Sequence, residues 1–313
     1  MVAQLLLIIG LLVYPGFVFS ILYGGILIWI YRKIRARMQG RRGPPWYQTY
    51  ADIMKLLSKE TIIPRSAWRL GFIGAPIISI VSLATAMLLI PIWSSKPLLG
   101  FVGDTIVLLY LLTIPTFAVI LAGISSNSPY GIVGASREAS LLVWYELPFW
   151  FSIATIFILT GTLSIEKIVS TQATLGPNII RAPLAFIAFI IAAQAKLAKR
   201  PFDIPHAETE IVAGPYTEYS GVLRGFFEIN EALKWLTISS VAATFFLGWP
   251  ITGNPVFNAL LFMVKVALFA IIFAVIDIVN PRFRIEQAHW PLWEVALIIA
   301  LIDLVRILAG IGV

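Results

Sequence analysis

The sequence predicts an all-α membrane protein with about eight transmembrane helices. Of its 313 residues, 59% are hydrophobic and 12% are charged, and the mean hydropathy is +0.90. A soluble domain of this length does not need so much apolar surface, so lipid must solvate most of the chain. No linker or internal repeat divides residues 1–313, which indicates a single transmembrane domain.

The predicted spans follow from apolar runs that have the length of a membrane-crossing helix. A bilayer is crossed by about 20 residues of α-helix. Runs of this kind occupy residues 4–30, 69–93, 104–124, 138–161, 181–198, 226–249, 256–279 and 292–312.

Basic residues are concentrated in alternate connections between these spans. Seventeen Lys and Arg side chains lie in residues 31–69, 125–137, 196–225 and 280–291, against three in the opposite connections. The positive-inside rule places the basic connections in the cytoplasm and both termini on the outer side of the cell membrane. Topology and anionic lipid thus explain the net charge of +7, and nucleic-acid binding is not expected.

The first basic connection, residues 31–69, contains a predicted amphipathic surface helix. After YRKIRARMQGRRGPP, the side chains of Trp46, Tyr50, Ile53 and Leu57 share one helical face. This helix is either a membrane anchor or a docking surface for a cytoplasmic partner. The docking interpretation assigns that contact to Arg35, Arg37, Arg41, Arg42, Asp52 and Lys55, together with Arg282 and Arg284 of a later connection.

Ionisable residues also lie within the predicted spans, where each needs a partner or internal water. Glu138 and Glu146 are eight residues apart, about 80° around a helix, so both can face one cavity. Glu228, Glu231 and Lys234 recur every third residue on one helical face. We therefore predict a proton pathway through Glu138, Glu146, Glu228 and Glu231. The alternative is that Glu231 with Lys234, like Asp303 with Arg306, forms a neutralised pair that only holds helices together.

The connection at residues 198–225 gathers an unusual set of polar side chains in RPFDIPHAETEIVAGPYTEYSG. We predict a cytoplasmic coupling loop built from Arg200, Asp203, His206, Glu208, Glu210 and Glu218. The chain has no Cys and two His residues, so it has no thiolate ligands for a metal, and no cofactor is expected in it.

This loop closely resembles the pattern RPPFDxPExExELVAGxxTEYSG of the complex I subunit 1 family, the NuoH-type subunit of NADH-quinone oxidoreductase. LVWYELP at residues 142–148 and PRFRIEQ at residues 281–287 resemble the family's ISYELP and PRFRYDQ. Extended without a gap, the family's intramembrane Glu falls on Glu231. Four motifs occur in the family's order over nearly the whole chain, which makes the resemblance specific.

The resemblance implies a membrane subunit that joins a cytoplasmic redox arm to ion-pumping subunits and carries no redox centre itself. It implies partners that resemble the large subunit of [NiFe] hydrogenase, iron–sulfur subunits and antiporter-like membrane subunits. Iron–sulfur clusters, and in hydrogenase relatives a [NiFe] centre, would lie in those partners. The resemblance carries the coupling role to the loop residues above and to Glu146 and Glu231, whereas Glu138 is added from its spacing.

Departures from the quinone-reducing pattern point to a particular branch of the family. The first connection lacks the ER pair and the GPNRVGPxGLLQPxADxxKL stretch. Its RKxxARxQGRxGPP pattern resembles that of membrane-bound, energy-converting [NiFe] hydrogenases and their close respiratory relatives. His206 replaces a Glu, and the doubled Pro is reduced to Pro201. We therefore expect a hydrogenase-type complex that moves protons or sodium ions. The alternatives are a quinone- or sulfur-reducing respiratory complex, a free-standing secondary transporter and a structural anchor.

Overall fold

The computed structural model describes residues 8–248 and 250–311, and over this part the chain consists of helices and short connections. This confirms the all-α prediction. The long helices are α1 (Phe17–Met38), α2 (Gln48–Leu57), α3 (Arg69–Leu88), α4 (Asp104–Ser125), α5 (Pro129–Thr160), α6 (Ile165–Leu175), α8 (Pro183–Lys196), α10 (Gly221–Phe246), α11 (Pro255–Val279) and α13 (Ile298–Leu308). The short helices are α7 (Asn178–Arg181), α9 (Glu208–Ile211) and α12 (Ile285–His289), with a 3₁₀ turn at Gly214–Tyr216 and a π-helical stretch at Trp290–Leu297.

Five helical segments are long and apolar enough to cross a membrane. They are Ile8–Met38, which is interrupted around Pro15, and α3, α4, α5 and α11. The other three predicted spans coincide with α8, α10 and the π-helical stretch with α13. The count of eight spans and the outer location of the termini stay predictions. Residues 4–7, 249 and 312 of the predicted spans lie outside the described residues.

Two helices extend beyond the apolar runs that predicted them. Helix α5 begins at Pro129 rather than at residue 138, because proline is favourable at the first position of a helix. Helix α10 begins at Gly221 rather than at residue 226. The first turns of both helices contain glycines and an arginine, which lower their hydropathy, so apolar runs place the start of each helix too late.

Helix α10 occupies the centre of the bundle. It packs on α1, α3 and α11, while α5 packs on α4, α8 and α13. The approach of α1 to α10 depends on Gly24, where an added Cβ would lie 2.3 Å from the Ala232 carbonyl oxygen. Small residues allow this close contact between membrane helices.

Two buried carboxylates have structural roles at helix ends. Asp104 accepts from the backbone N–H of Ile165 at 2.9 Å and so caps the start of α6. Asp303 pairs with Arg306 at 2.7 Å and accepts from the backbone N–H of Ala185 near the start of α8. The Asp303–Arg306 pair therefore fastens α13 to α8, as the neutralised-pair alternative predicts.

The surface helix α2 packs through part of the predicted apolar face. Ile53 is buried and the Tyr50 hydroxyl donates to the Leu22 carbonyl of α1, whereas Trp46 precedes the helix and is exposed. Asp52 pairs with Arg32 of α1 at 2.8 Å. Helix α2 is thereby fixed against α1 at the end of the bundle that carries the basic connections.

Candidate functional site

A cavity of about 610 Å³ lies where α8 ends, α10 begins and α11 ends. Ten charged side chains contribute to its lining, six of them basic and four acidic. They are Arg35, Lys199, Arg200, Asp203, Glu208, Arg224, Glu231, Lys234, Asp277 and Arg282. Pockets for large apolar ligands are lined mainly by hydrophobic side chains, so this cavity suits ions, water and small polar groups.

An ion pair between Lys199 and Glu231 forms one wall of the cavity. Lys199 Nζ lies 2.6 Å from Glu231 Oε1 and 5.6 Å from the centre of the Tyr31 ring. The Tyr31 hydroxyl donates to Asp277 at 2.9 Å, and Asp277 also accepts from the backbone N–H of Arg200 at 2.9 Å. These contacts join α1, α10, α11 and the segment that follows α8 around the cavity.

Two titratable side chains of the loop face this cavity with shifted pKa values. Burial raises the pKa of Asp203 to about 6, with Lys199 opposing the shift and Asp277 adding to it. Burial, together with the positive charges of Lys199 and Lys234, lowers the pKa of His206 to about 3. His206 is therefore a neutral imidazole near pH 7, stacked on the Tyr216 ring at 4.8 Å, and its buried Nδ1 has no protein hydrogen-bond partner within the described residues.

A row of charged side chains leads from the cavity into the bundle. Lys234 lines the cavity with Glu231, and the positive charges of Lys234 and Lys196 both act on Glu138. Glu138 is 1% exposed, and its Oε2 has no hydrogen-bond partner in the part of the chain that the structure describes. Acidic and basic groups therefore alternate along this row, beginning at Glu231.

The inner end of the row is the ion pair of Lys196 with Glu146. Lys196 is fully buried, and its Nζ lies 2.8 Å from Glu146 Oε2. Glu146 also accepts from the Thr113 hydroxyl at 2.5 Å and from the Trp150 indole N–H at 2.8 Å. Glu146 thus contacts the buried ammonium of Lys196, on which Glu138 also acts through its charge, and neither glutamate lines the cavity.

A carboxylate on the outside of the loop joins it to two other elements. Glu210 pairs with Arg137 of α5 at 2.6 Å and also with Arg282. The Arg137 hydrogen bond, with the Arg282 charge, holds the pKa of Glu210 below its usual range.

The same loop turns at Gly214, which has a φ of +53°. Glycine is favoured at this position, because an added Cβ would collide with the Pro205 carbonyl oxygen.

The predicted site residues divide between the cavity and its surroundings. The coupling-loop residues Arg200, Asp203, His206 and Glu208 line the cavity, as do Arg35 and Arg282 of the docking set. Glu228 pairs with Arg224 at 2.8 Å and, with Asp52 and Lys55, lines a separate pocket. Glu218 is half-buried outside the cavity, Arg284 lines a surface pocket beside Glu210, and Arg37, Arg41 and Arg42 lie at the end of α1 and just beyond it.

Sequence reasoning missed the basic members of the row. It paired Glu231 with Lys234, whereas the partner of Glu231 is Lys199, and it left Glu146 without the contact to Lys196. Lys196 and Lys199 were counted only as positive-inside charges. Their three-residue spacing at the end of an apolar helix is the signal that could have found them.

Among the described residues, no three His, Cys, Asp or Glu side chains come together to form a metal site. The site consists of fixed acidic and basic charges on five helices and one loop. Such an arrangement can hold water and relay changes of charge or protonation.

Comparison with known proteins assigns the chain to a family. A family profile described as NADH dehydrogenase matches residues 10–308. The H subunit of NADH-quinone oxidoreductase from Thermomicrobium roseum is 37% identical, with 89% of this chain and 88% of the relative covered. The corresponding protein of Dehalococcoides mccartyi is 35% identical over 95% of this chain and 86% of the relative.

A solved structure has the same fold over almost the full length. A chain of the membrane-bound sulfane sulfur reductase, an archaeal respiratory membrane complex, is 29% identical, with a TM-score of 0.87 and coverage of 98% of this chain and 99% of that chain. The chain therefore belongs to the NADH dehydrogenase family and is a NuoH-like, multi-pass membrane subunit of a complex I-like respiratory complex.

Proposed function

We propose that this chain couples a cytoplasmic redox arm of the hydrogenase type to the movement of protons or sodium ions across the cell membrane. The charged cavity receives the signal from the redox arm. The alternating charges from Glu231 through Lys234, Glu138 and Lys196 to Glu146 carry it into the membrane domain.

The row of buried charges is the observation that carries this proposal. Unit charges about 4 Å apart interact by around 4 kcal/mol at an effective dielectric near 20, which equals about three pKa units. The Lys199–Glu231 and Lys196–Glu146 pairs are shorter than this. A change in charge at the cavity can therefore alter the protonation of the next group along the row.

The lining of the cavity favours a small or ionic acceptor over a quinone. A quinone with its isoprenoid tail needs an extended apolar pocket, whereas ten charged side chains surround this cavity. The first basic connection, residues 31–69, resembles that of hydrogenases and also favours a small acceptor over a quinone. The electrons would then reach protons in the active-site subunit of the redox arm, beside its iron–sulfur clusters.

A second candidate acceptor is a sulfur compound. It is favoured by the similarity to the sulfane sulfur reductase chain, which covers both chains almost completely. In either case this chain would have the same coupling role, and its partners would be redox-arm subunits and antiporter-like membrane subunits.

Purification of the native complex in mild detergent tests this proposal. Mass spectrometry identifies the subunits, and hydrogen evolution, sulfane sulfur reduction and quinone reduction are assayed on the same preparation. We expect a [NiFe]-type large subunit with hydrogen evolution, while sulfur reduction alone would select the second candidate. Quinone reduction as the main activity, or a chain without redox partners, would contradict the proposal.

A variant pair tests the coupling role separately. We expect Glu231→Gln to slow turnover and lower the number of ions moved per electron, because it removes the partner of Lys199. Glu166→Gln is the matched control, since Glu166 pairs with Lys96 away from the cavity at 3.7 Å. Equal coupling in both variants would argue against a role for the charged row.

A further inference from the structure

A second polar row follows helix α10 beyond the charged cavity. Every third residue from Glu228 to Ser240 has a polar side chain, and one further turn brings Thr244. The members are Glu228, Glu231, Lys234, Thr237, Ser240 and Thr244. Residues three or four apart are neighbours on a helix surface, so the row is continuous over about 24 Å, because each residue rises 1.5 Å.

The later members of this row are buried hydroxyls. Thr237 and Ser240 are 0% exposed and Thr244 is 4% exposed. Thr237 donates to the Leu233 carbonyl at 2.7 Å, whereas Ser240 Oγ and Thr244 Oγ1 have no hydrogen-bond partner within the described residues. Most buried hydroxyls form a hydrogen bond with protein or with water. We therefore expect water molecules to be hydrogen-bonded to Ser240 Oγ and Thr244 Oγ1.

Thr244 opens into a pocket at the opposite end of α10 from the cavity. This far pocket has a volume of about 40 Å³ and is lined by the segment that follows α3, by Val169 of α6, by the end of α10 and by the start of α11. One water needs about 10–15 Å³ of such volume. Ser240, Ala243, Thr244 and Leu247 recur at helical spacing, which places Ser240 on the α10 face that lines the far pocket.

Lys265 supplies a charge at the same place. It lies in α11 and lines the far pocket with Asn258 and Phe262, and among the described residues no other charged side chain lines this pocket. An ammonium inside a membrane helix faces water or a partner because its burial in hydrocarbon is costly. The far pocket is large enough to hold that water.

We propose that the α10 row and Lys265 form a water-lined proton path that leads from the charged cavity to the opposite membrane surface through this chain itself. A proton passes along water held by the hydroxyls of Thr237, Ser240 and Thr244. The Lys265 ammonium releases one proton to water in the far pocket, and the neutral amine that remains accepts the next proton from the row on Nζ. The chain would thus have its own exit for protons, in addition to transmitting a signal to partner subunits.

The direction of proton flow rests on the proposed coupling function, whereas the access of water to the α10 row does not. Water access and proton transfer can therefore fail separately. The first experiment measures whether water reaches the row, and the second measures the number of protons moved per electron.

Thiol labelling measures access in the assembled complex. The chain contains no Cys, so Ser240→Cys and Thr244→Cys each give it a single thiol. A membrane-impermeant thiol reagent is added on the side of the far pocket, and labelling of this subunit is read by mass spectrometry. Ser94→Cys, an exposed lining residue of the far pocket, marks reagent access. Val264→Cys, one residue before Lys265 and 66% exposed on the outer surface of α11, is the lipid-facing control.

The expected result is labelling of Thr244→Cys and Ser240→Cys at least about tenfold faster than Val264→Cys, because the reactive thiolate forms only in water. Reaction at Ser94→Cys with no reaction at Ser240→Cys would overturn the path. Redox activity of each variant shows that the complex is assembled, and Ser to Cys changes the side-chain volume little.

Substitution of Lys265 tests its role as a proton carrier. We expect Lys265→Met and Lys265→Arg both to lower the protons moved per electron, because Arg keeps the charge but does not release a proton. Lys265→His, which can exchange a proton, should restore part of the loss. Wild-type coupling in Lys265→Arg would reduce Lys265 to a fixed charge and overturn its part in the path.

Discussion

The ammonium of Lys196 shows how a single buried charge constrains its neighbours. It is fully buried against the rings of Tyr145 and Phe149, at 5.0 and 4.8 Å, and pairs with Glu146. A buried pair contributes little net stability, but the loss of one partner leaves a costly unpaired charge. Glu146 therefore has a structural role as well as its proposed coupling role.

A double substitution separates these two roles. We expect Glu146→Leu to impair assembly, since breaking a buried pair costs about 3–5 kcal/mol. Adding Lys196→Met removes the stranded charge and should restore assembly, measured as the amount of intact complex in the membrane. Ion movement should stay lost in the double variant. Full coupling there would show that the pair serves packing alone.

Asp203 and His206 should affect stability with opposite dependence on pH. Folding raises the pKa of Asp203 to about 6, so its contribution to stability is lost as the pH rises from about 4 to 6. Folding lowers the pKa of His206 to about 3, so stability is gained as the pH rises from about 3 to 6.5.

The melting temperature of the purified complex at pH values between about 4 and 7 measures both effects. Relative to wild type, Asp203→Asn should make stability rise more steeply with pH, and His206→Gln should make it rise less. If both substitutions changed the pH dependence of the melting temperature in the same direction relative to wild type, the burial of one of the two groups would be contradicted.

At the scale of helices, the apolar runs predicted the position of every long membrane helix but not its full length. The first turns of α5, which begin at Pro129, and the start of α10 at Gly221 lie outside the apolar runs. The ends of these helices depend on capping and on contacts with the loop, which composition does not report. The face of α2 was predicted well because amphipathic spacing is a local signal.

The contact between α1 and α10 depends on Gly24 and can be tested directly. We expect Gly24→Ala to destabilise the protein by about 1–3 kcal/mol, because its Cβ would lie 2.3 Å from a backbone oxygen that cannot move freely. Gly74→Ala in α3 is the control, since only Ile78 at 3.9 Å lies near its Cβ among the described residues. Thermal unfolding of the purified complex should separate the two variants, and equal stability would rule out the tight α1–α10 contact.

At the scale of the whole molecule, the charged row joins residues that are far apart in the sequence. Glu138 and Glu146 lie on α5, Lys196 on α8, and Glu231 and Lys234 on α10. The sequence alone identified the acids, because charges in apolar spans stand out. The spacing of Lys196 and Lys199 marks both as candidate basic partners, but the sequence could not tell which acid each one pairs with, since the pairing of Lys196 with Glu146 depends on how α8 packs on α5.

The cavity was predictable only in part for the same reason. The loop motif indicated Arg200, Asp203 and Glu208, but Tyr31 and Asp277 join the site through the packing of α1 and α11. Motif reasoning finds residues that are close in the sequence. The other cavity residues are distant in the sequence and reach the cavity through the packing of the helices.

Glu138 offers the most direct test of coupling through this row. It is buried, the charges of Lys234 and Lys196 act on it, and Glu138→Gln removes its charge while keeping its shape. The measurement is the number of protons and sodium ions moved per electron by the complex in proteoliposomes. We predict that Glu138→Gln assembles normally and moves far fewer ions per electron than wild type. Wild-type ion movement and turnover in this variant would contradict coupling through the buried row.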